Sequence, residues 1–344
     1  MGNVLGIFVG SASSFNIIRA TSHIGEALSK EFTADLVTTE PKIAAEVDMV
    51  YDEIHGISEQ SSTQGEISAL NSYIRTRDPD VLFQITSPPI HGTIVGSLAW
   101  LHSIPFVYRY SGDRFYEYNI SQGFNKIIHF GLNNVVGQVP LSLADACVAL
   151  GPTGRERLVR RGVPEESIRI IPPIVDESQF SATGPQIEFD TDKHIGLFVG
   201  RVSREKGKEI IERTLPEILD RRPDLQFVFI GERPENLAIS PQYKSSITLI
   251  GPVDPETVPQ YYRAASFVIH PSLSEGLPRA VLEANAMGVP TIARSVGDID
   301  YVTDNTFTTE SGFVNLVCNF ESLQPDSITR FRYDNVKSEY TCLF

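Results

Sequence analysis

One segment in the second half of the chain has the residue types of an anion site. An apolar run ends at Gly200, Arg201 follows at once, and Lys206 stands five residues later, where a helical pattern starts. Glycine lets the backbone come close to a ligand, and the planar fork of an arginine matches phosphate oxygens. Helix N–H groups beside Lys206 would favour negative charge further. Taken alone, the segment is equally typical of a solvated turn with surface cations.

A second segment places two carboxylates around the start of a helix. Glu275 follows an apolar run, Gly276 and Pro278 shape the turn, and Glu283 comes eight residues after Glu275. If the helix began at once, both carboxylates would point to the same side, where their oxygens would accept hydrogen bonds from paired hydroxyl groups. The alternative is that both glutamates are surface charges that interact with the helix dipole.

The elements that position these segments follow one plan in both halves of the chain. Short apolar runs alternate with amphipathic segments of helical length, which predicts βαβ units and parallel sheets. We expect an α/β protein with two doubly wound, Rossmann-like domains that face each other across a cleft. The expected domains are residues 1–172 and 173–330, and a short helix over 331–344 is expected to pack back on the first domain. Ligands in such sheets bind outside the carboxyl ends of the strands, where both segments lie.

Composition narrows the class of protein. The 344 residues carry 29 basic and 43 acidic side chains. The formal net charge of −14 argues against a nucleic-acid-binding surface but not against a site for a small anionic ligand. Only three cysteines occur, too far apart for a disulfide framework or a zinc site. With no signal-peptide pattern and no run of about 18–20 apolar residues, we expect a cytoplasmic protein.

The second half resembles the family 4 glycosyltransferases of GT-B fold. The resemblance rests on Gly-Arg-x4-Lys-Gly at 200–207 and on Glu-x7-Glu at 275–283 with its Ser-Glu-Gly-Leu-Pro-Arg opening. The stretch 261–265, before a strand that ends in His270-Pro271-Ser272, is also similar to the family. The first half resembles the family in its organisation more than in its motifs.

The resemblance implies metal-independent transfer of a sugar, with retention, from a nucleoside-diphosphate sugar to a hydroxyl acceptor, and no cofactor beyond that co-substrate. Arg201 and Lys206 would hold the diphosphate, and Glu275 would sit beside the donor sugar. Glu283 would accept hydrogen bonds from the ribose. The other expected donor-binding residues are Gly200, Gly276 and Leu277 near sugar or phosphate, and Gly251, Pro252 and Val253 beside the base.

The first domain departs from the family pattern. Many members carry a histidine after the fifth strand, where this sequence has Ser111, which can form hydrogen bonds but does not titrate near neutral pH. Asp113 and Arg114 are candidates for the acceptor side or the donor, or form a structural ion pair. His91 is another cleft candidate, and its alternative is a capping or surface residue at the start of a helix. The small-residue loop that begins with Gly10 and Ser11 would approach the acceptor or form an ordinary turn.

Gly312-Phe313-Val314 resembles a glycine-centred strand of the family, and 331–336 resembles the entry to its last helix. Only 18 residues separate Gly312 from Phe331, which indicates a shortened tail. The alternative function is therefore a catalytically inactive subunit that binds a nucleotide sugar or a partner. Another GT-B enzyme, such as a nucleotide-sugar epimerase or a phosphorylase, is a further alternative.

Two other features allow more than one interpretation. The Asp-x-Asp triplets at 78–80 and 298–300 are interpreted as turns rather than metal ligands. The segment 121–143 carries one formal charge, Lys126, and has no basic face of its own, so we predict a core helix. Its alternative is contact with the inner face of a membrane or with a lipid-linked acceptor. The sequence leaves open the donor base, the sugar, the acceptor (glycan, lipid-linked or small molecule) and the oligomeric state.

Overall fold

The computed structural model describes residues 3–10, 15–58, 62–86, 88–112, 114–119, 121 and 123–344. The chain forms two compact units, the first made of Met1–Ile174 with Tyr333–Phe344 and the second of Val175–Arg332. Among the described residues, no helix combines the length and the apolar content needed to cross a membrane.

The first unit contains a seven-stranded parallel sheet in the order β3-β2-β1-β4-β5-β6-β7. Helices cover such sheets on both faces, which explains why the strands are nearly continuous apolar runs. The strands are β1 (Val4–Phe8), β2 (Thr33–Val37), β3 (Glu53–His55), β4 (Val81–Gln84), β5 (Phe106–Tyr110), β6 (Ala146–Ala149) and β7 (Ile168–Ile170). The helices are α1 (Phe15–Leu28), α2 (Pro41–Val47), α3 (Thr63–Arg77), α4 (Pro88–His102), α5 (Phe124–Phe130), α6 (Gln138–Leu143) and α7 (Pro152–Val159).

The second unit repeats the plan with six parallel strands in the order β10-β9-β8-β11-β12-β13. Its core contains the large buried side chains Phe227, Phe229 and Phe267. The strands are β8 (His194–Val199), β9 (Leu225–Ile230), β10 (Ile247–Gly251), β11 (Phe267–His270), β12 (Thr291–Arg294) and β13 (Thr306–Phe307). The helices are α8 (Lys208–Arg221), α9 (Val258–Ala264), α10 (Arg279–Ala286) and α11 (Glu310–Cys318).

The terminal helix α12 (Tyr333–Thr341) follows the second unit in sequence but packs against α1 in the first. Val336 and Tyr340 are buried in the core of the first unit, and the Tyr333 hydroxyl donates a hydrogen bond to the Glu26 carbonyl at 2.9 Å. The two doubly wound parallel-sheet domains expected from the sequence are confirmed.

Several local expectations are wrong. Gly312 to Val314 lie in helix α11 rather than in a strand, because the Thr309 side chain caps a helix there by accepting the Gly312 N–H. Between α5 and α6 the chain forms a π-helical turn over Gly131–Val136, so the expected single core helix is broken. Both Asp-x-Asp triplets lie in turns, as predicted: Asp78 ends α3 in a left-handed conformation, and Asp298 precedes a 3-10 turn.

Candidate functional site

The two predicted segments of the second unit meet where its strand order reverses. β8 and β11 are neighbours in the sheet but not in sequence, and Gly200-Arg201 follows β8 while Glu275 follows β11. In open α/β sheets this reversal creates the crevice in which ligands bind. The fold therefore brings the expected anion site and the first expected carboxylate to one place.

A buried carboxylate joins the two segments. The Lys206 ammonium lies 2.6 Å from Oε1 of Glu275, and Nε2 of His270 lies 2.9 Å from the same oxygen. The Ser272 hydroxyl is 3.1 Å from His270 Nε2. The side chains of Lys206, His270 and Ser272 therefore form one polar cluster with the Glu275 carboxylate. Burial alone would raise the pKa of Glu275, but the hydrogen bond and charge of His270 together with Lys206 lower it to about 2. Glu275 is thus a carboxylate at neutral pH.

Backbone contacts hold the two loops together. The Leu273 N–H donates to the Glu205 carbonyl at 2.7 Å. Gly207, with φ of 82°, sits so close to Pro271 that a Cβ would lie 2.1 Å from the Pro271 carbonyl oxygen. This contact and the positive φ both require glycine immediately before α8. Lys206 is therefore held in the turn before the helix, not in its first turn as expected.

Arg201 is at the surface beside this cluster. Its side chain is 46% exposed, and its guanidinium is 3.7 Å from a carboxylate oxygen of the equally exposed Glu205. An exposed ion pair of this kind contributes little to the free energy of unfolding. An anionic ligand can therefore take the place of Glu205 as the partner of Arg201 at a small cost in free energy. Gly200 before it has a φ of 145°, and its carbonyl lies 2.2 Å from where a Cβ on Gly231 would be. The carboxyl ends of β8 and β9 are packed backbone to backbone at this point.

Glu283 has different partners from Glu275. It lies within α10, is largely buried, and accepts a hydrogen bond from the Tyr262 hydroxyl at 3.2 Å. Helix α10 begins only at Arg279, so Glu275 stands in the loop before it. The condition for both carboxylates to share one helix face is therefore not met, because Pro278 is extended and the helix begins after it.

Sequence reasoning missed two partners of these glutamates. His270 ends β11 and Tyr262 lies in α9. Both stand in stretches noted for their likeness to the family, but neither was expected to contact a glutamate. A polar residue at the carboxyl end of a buried strand, five residues before Glu275, is the signal that points to His270.

The other expected donor-binding residues lie in adjoining loops. Gly251 ends β10 with a φ of 87° and accepts the Gly231 N–H at 2.8 Å. Pro252 is exposed, and Val253 packs at the edge of an apolar cluster of this unit. The Gly276 carbonyl accepts the Asp298 N–H at 2.9 Å, and Leu277 is buried.

The first unit has a buried polar cluster where its own strand order reverses, between β1 and β4. The Gly10 N–H donates to the Thr86 hydroxyl at 3.1 Å, and this hydroxyl is 3.0 Å from Nδ1 of His91. Nε2 of His91 is 3.4 Å from a carboxylate oxygen of the buried Glu66. If the hydroxyl proton points to Nδ1, the imidazole carries its own proton on Nε2 and faces Glu66. His91 is therefore buried in α4 and is not a surface residue.

Two further acceptor-side candidates follow β5. Ser111 is half-buried directly after β5, and Arg114 begins a 3-10 turn that extends to Asn119. Ser11 and Asp113 lie outside the described residues.

One group of described residues has the donor types of a metal site. His194, Asp224 and Glu321 are exposed and lie close together. The Arg222 guanidinium is 2.7 Å from Asp224 and 2.6 Å from Glu321, so the carboxylates already have a cation between them. The hydrogen bond that Arg222 donates to Asp224 is the main cause that lowers the pKa of Asp224 to about 2. The cluster is best explained as a structural ion-pair network.

Two family models match the chain, one in each half of the sequence. A family model described as Glycosyltransferase Family 4 matches residues 20–179, and one described as Glycosyl transferases group 1 matches residues 193–322. A D-inositol 3-phosphate glycosyltransferase of Corynebacterium jeikeium is 30% identical over 158 residues, which are 40% of this chain and 38% of that protein. The phosphatidylinositol N-acetylglucosaminyltransferase GPI3 subunit of Saccharomyces cerevisiae is 24% identical over 196 residues, 54% of this chain and 43% of that subunit. These matches thus span less than half of the length of either relative.

Solved structures share the fold across nearly the whole chain. Anabaena HepE in complex with UDP superposes with a TM-score of 0.70 at 12% identity, covering 99% of this chain and 94% of that one. Sucrose-phosphate synthase from Thermosynechococcus elongatus gives a TM-score of 0.70 at 18% identity, covering 99% and 95%. The two family models between them match most of the chain, and both sheets have the doubly wound order. The chain belongs to the family 4 glycosyltransferases and has the GT-B fold.

Proposed function

We propose that the chain transfers a sugar from a nucleoside-diphosphate sugar to a hydroxyl acceptor, with retention of the anomeric configuration and without a metal ion. The observation that carries the proposal is the meeting of Lys206 and Glu275 at the reversal of the second sheet, 2.6 Å apart and beside the exposed Arg201. Membership of the family supports the reaction type. Retention and metal independence rest on the family resemblance.

The two cations would act on the leaving group. When the bond between the anomeric carbon and the diphosphate oxygen breaks, its electron pair stays on the diphosphate, and the acceptor oxygen forms the new bond. The acceptor proton then leaves to the departing diphosphate or to solvent. Arg201 and Lys206 stabilise the charge that develops on the diphosphate, and they do so more strongly in the transition state than in the ground state. An ammonium has three donors, so Lys206 can bind phosphate while it keeps its contact with Glu275.

The carboxylates would orient the donor. Because its pKa is lowered to about 2, Glu275 stays ionised at neutral pH and accepts hydrogen bonds from sugar hydroxyls rather than donating a proton. Glu283, fixed by the Tyr262 hydroxyl, would accept hydrogen bonds from the ribose in the same way. The main chain of 251–253, at the end of β10, would border the base.

The comparisons indicate which substrates to try first. HepE structures contain UDP, UDP with glucose, and UDP-glucose, so UDP-glucose is the first donor in a panel that also holds GDP-, ADP- and dTDP-sugars. Inositol 3-phosphate is the first acceptor to try, because several relatives are D-inositol 3-phosphate glycosyltransferases.

The test is turnover of the donor by the full chain. Replacing one phosphate-binding cation, Lys206→Ala, should lower the rate of sugar transfer or donor hydrolysis on the order of 100-fold or more. Lys208→Ala is the matched control, because Lys208 pairs with Glu212 on α8 and should be dispensable. Equal rates in wild type and Lys206→Ala would overturn the proposed role.

Retention and metal independence need separate readouts. Proton NMR of the first product formed should show the anomeric configuration of the donor, and an excess of EDTA should leave the rate unchanged. Inversion, or loss of activity restored by a divalent cation, would contradict that part of the proposal. Donor binding without turnover against a broad acceptor panel would instead favour the inactive-subunit alternative.

A further inference from the structure

An apolar face is exposed on the first unit, on the segment for which the sequence predicts a core helix. On α5 and the following π-helical turn, the exposed fractions are 72% for Phe124, 67% for Ile127, 48% for Phe130 and 64% for Val135. The prediction that 121–143 packs in the core is therefore wrong for the apolar side chains of α5 and the π-helical turn, whereas α6 packs against α4 with Pro140 and Leu141 buried. Large apolar side chains that are exposed together, rather than singly, mark a surface that contacts a partner or a membrane.

The segment that carries the apolar face makes specific contacts with the rest of the first unit. The Asn134 amide donates to the Phe115 carbonyl at 3.2 Å, which ties the π-helical turn to the 3-10 turn after β5. Tyr118 packs edge-on against Phe130, with ring centroids 5.2 Å apart. The segment thus presents its apolar side chains on a folded support at the carboxyl end of β5.

Arginines of α7 and the residues after it border this support. The Arg157 guanidinium lies 4.7 Å from the centre of the half-exposed Tyr116 ring. Arg161 lies 4.3 Å above the Phe115 ring and also binds Asn134 of the π-helical turn. Arg160 is exposed and pairs with Glu156 one turn earlier. Arginine cations and the Tyr116 ring therefore line one border of the apolar face.

Charge distinguishes this region from the rest of the chain. Between residues 114 and 161 there are six Lys or Arg and three Asp or Glu, whereas the whole chain carries a net charge of −14. The segment 121–143 has no basic face of its own, but the fold places arginines of α7 and of the residues that follow it beside this segment. Apolar side chains that enter the acyl region, bordered by cations at headgroup level, form the pattern of a surface that binds anionic bilayers.

We propose that this face, made of α5 and the π-helical turn and bordered by Arg157, Arg160 and Arg161, docks on an anionic lipid bilayer. The basic border is complementary to an anionic bilayer, which favours that occupant, and a contact between copies of the chain is an outcome of the test. The proposal concerns attachment to the bilayer and does not depend on the transfer reaction proposed above.

The test is co-sedimentation of the full chain with vesicles. Vesicles of phosphatidylcholine with about one third phosphatidylglycerol should bind the chain, and pure phosphatidylcholine vesicles should bind it much more weakly. Phe124→Ser/Ile127→Ser should reduce binding at least about tenfold, since two apolar side chains no longer enter the bilayer. Arg157→Gln/Arg160→Gln should reduce binding by about 25-fold, because each charge removed costs about fivefold.

Matched controls come from residues away from the face. Met49→Ser changes an apolar side chain that is 95% exposed in the turn after α2, and Arg213→Gln/Arg221→Gln removes two ion-paired arginines from α8 of the second unit. Both controls should bind anionic vesicles like wild type. Circular dichroism and thermal melting of every variant separate loss of binding from loss of fold.

Three results would overturn the proposal. The first is equal binding to both vesicle types, and the second is binding that the Phe124→Ser/Ile127→Ser variant retains. The third is a concentration-dependent dimer, seen by analytical ultracentrifugation, that this variant abolishes while vesicle binding is absent in wild type; the face would then be a contact between copies.

Discussion

Removing the charge of Glu275 should destabilise the protein by an amount that depends on pH in a defined way. Its pKa is lowered from 4.5 to about 2 in the folded chain, because the His270 and Lys206 contacts outweigh the effect of burial. At about 1.4 kcal/mol for each pKa unit, ionisation of this one carboxyl contributes about 3 kcal/mol to the free energy of unfolding at pH 7. Glu275→Gln keeps the size of the side chain and removes this contribution.

The sign follows from the direction of the shift. A carboxyl whose pKa is lowered by folding adds stability above its unfolded pKa and loses it as the pH falls through the folded value. The difference in unfolding free energy between wild type and Glu275→Gln should therefore be constant above about pH 5 and fall below half of that value by pH 3. Taking the difference removes the contributions of other carboxyls with lowered pKa values, such as Asp224.

Urea denaturation followed by fluorescence and circular dichroism, repeated between pH 7 and pH 3, measures this difference. Glu205→Gln is the control, because this exposed carboxylate is 3.7 Å from Arg201 and should change stability by no more than about 0.5 kcal/mol at any pH. A difference for Glu275→Gln below about 1 kcal/mol at pH 7, or one that stays constant down to pH 3, would refute the reasoning.

Two further predictions concern the support of the site. Gly231→Ala should destabilise the second unit by about 2–3 kcal/mol and lower the Tm, because φ is 126° and the new Cβ would lie 2.2 Å from the Gly200 carbonyl oxygen. Gly131→Ala, where a Cβ meets no atom within 4 Å, should leave the Tm unchanged or raise it; equal effects would disprove the steric argument. Tyr262→Phe removes the hydrogen bond to the buried Glu283, which should lower the Tm by a few degrees and the donor affinity of the folded chain by about fivefold, measured by calorimetric titration. Unchanged donor affinity would contradict a role for Glu283 in donor binding.

The sequence predicted the two sheets well because their strands are fully buried. Continuous apolar runs such as 194–199 and 225–230 mark strands of a parallel sheet, and glycines at their ends mark the close turns. The short strand Glu53–His55 and the helix Pro41–Val47 were missed, because segments of three and seven residues carry too little periodicity to recognise.

The candidate site was predictable in its residue types but not in its contacts. The spacing of Lys206 and Glu275 placed both at strand ends, yet their 2.6 Å contact depends on β8 and β11 being neighbours, which no local pattern encodes. The exposure of the apolar face on α5 was not predicted for the same reason, since local patterns do not encode tertiary contacts. Periodicity cannot distinguish a helix buried on all sides from one whose apolar side chains face out, and the arginines beside it come from a different helix.

The central claim is that the second unit binds the diphosphate of a nucleotide through Lys206. Isothermal titration of the full chain with UDP, or with whichever nucleoside diphosphate raises the Tm most, tests it without requiring an acceptor. Lys206→Ala should bind at least about tenfold more weakly than wild type, since a charge-assisted contact to phosphate is lost, and Lys208→Ala should bind like wild type. Equal affinity in wild type and Lys206→Ala would contradict the account.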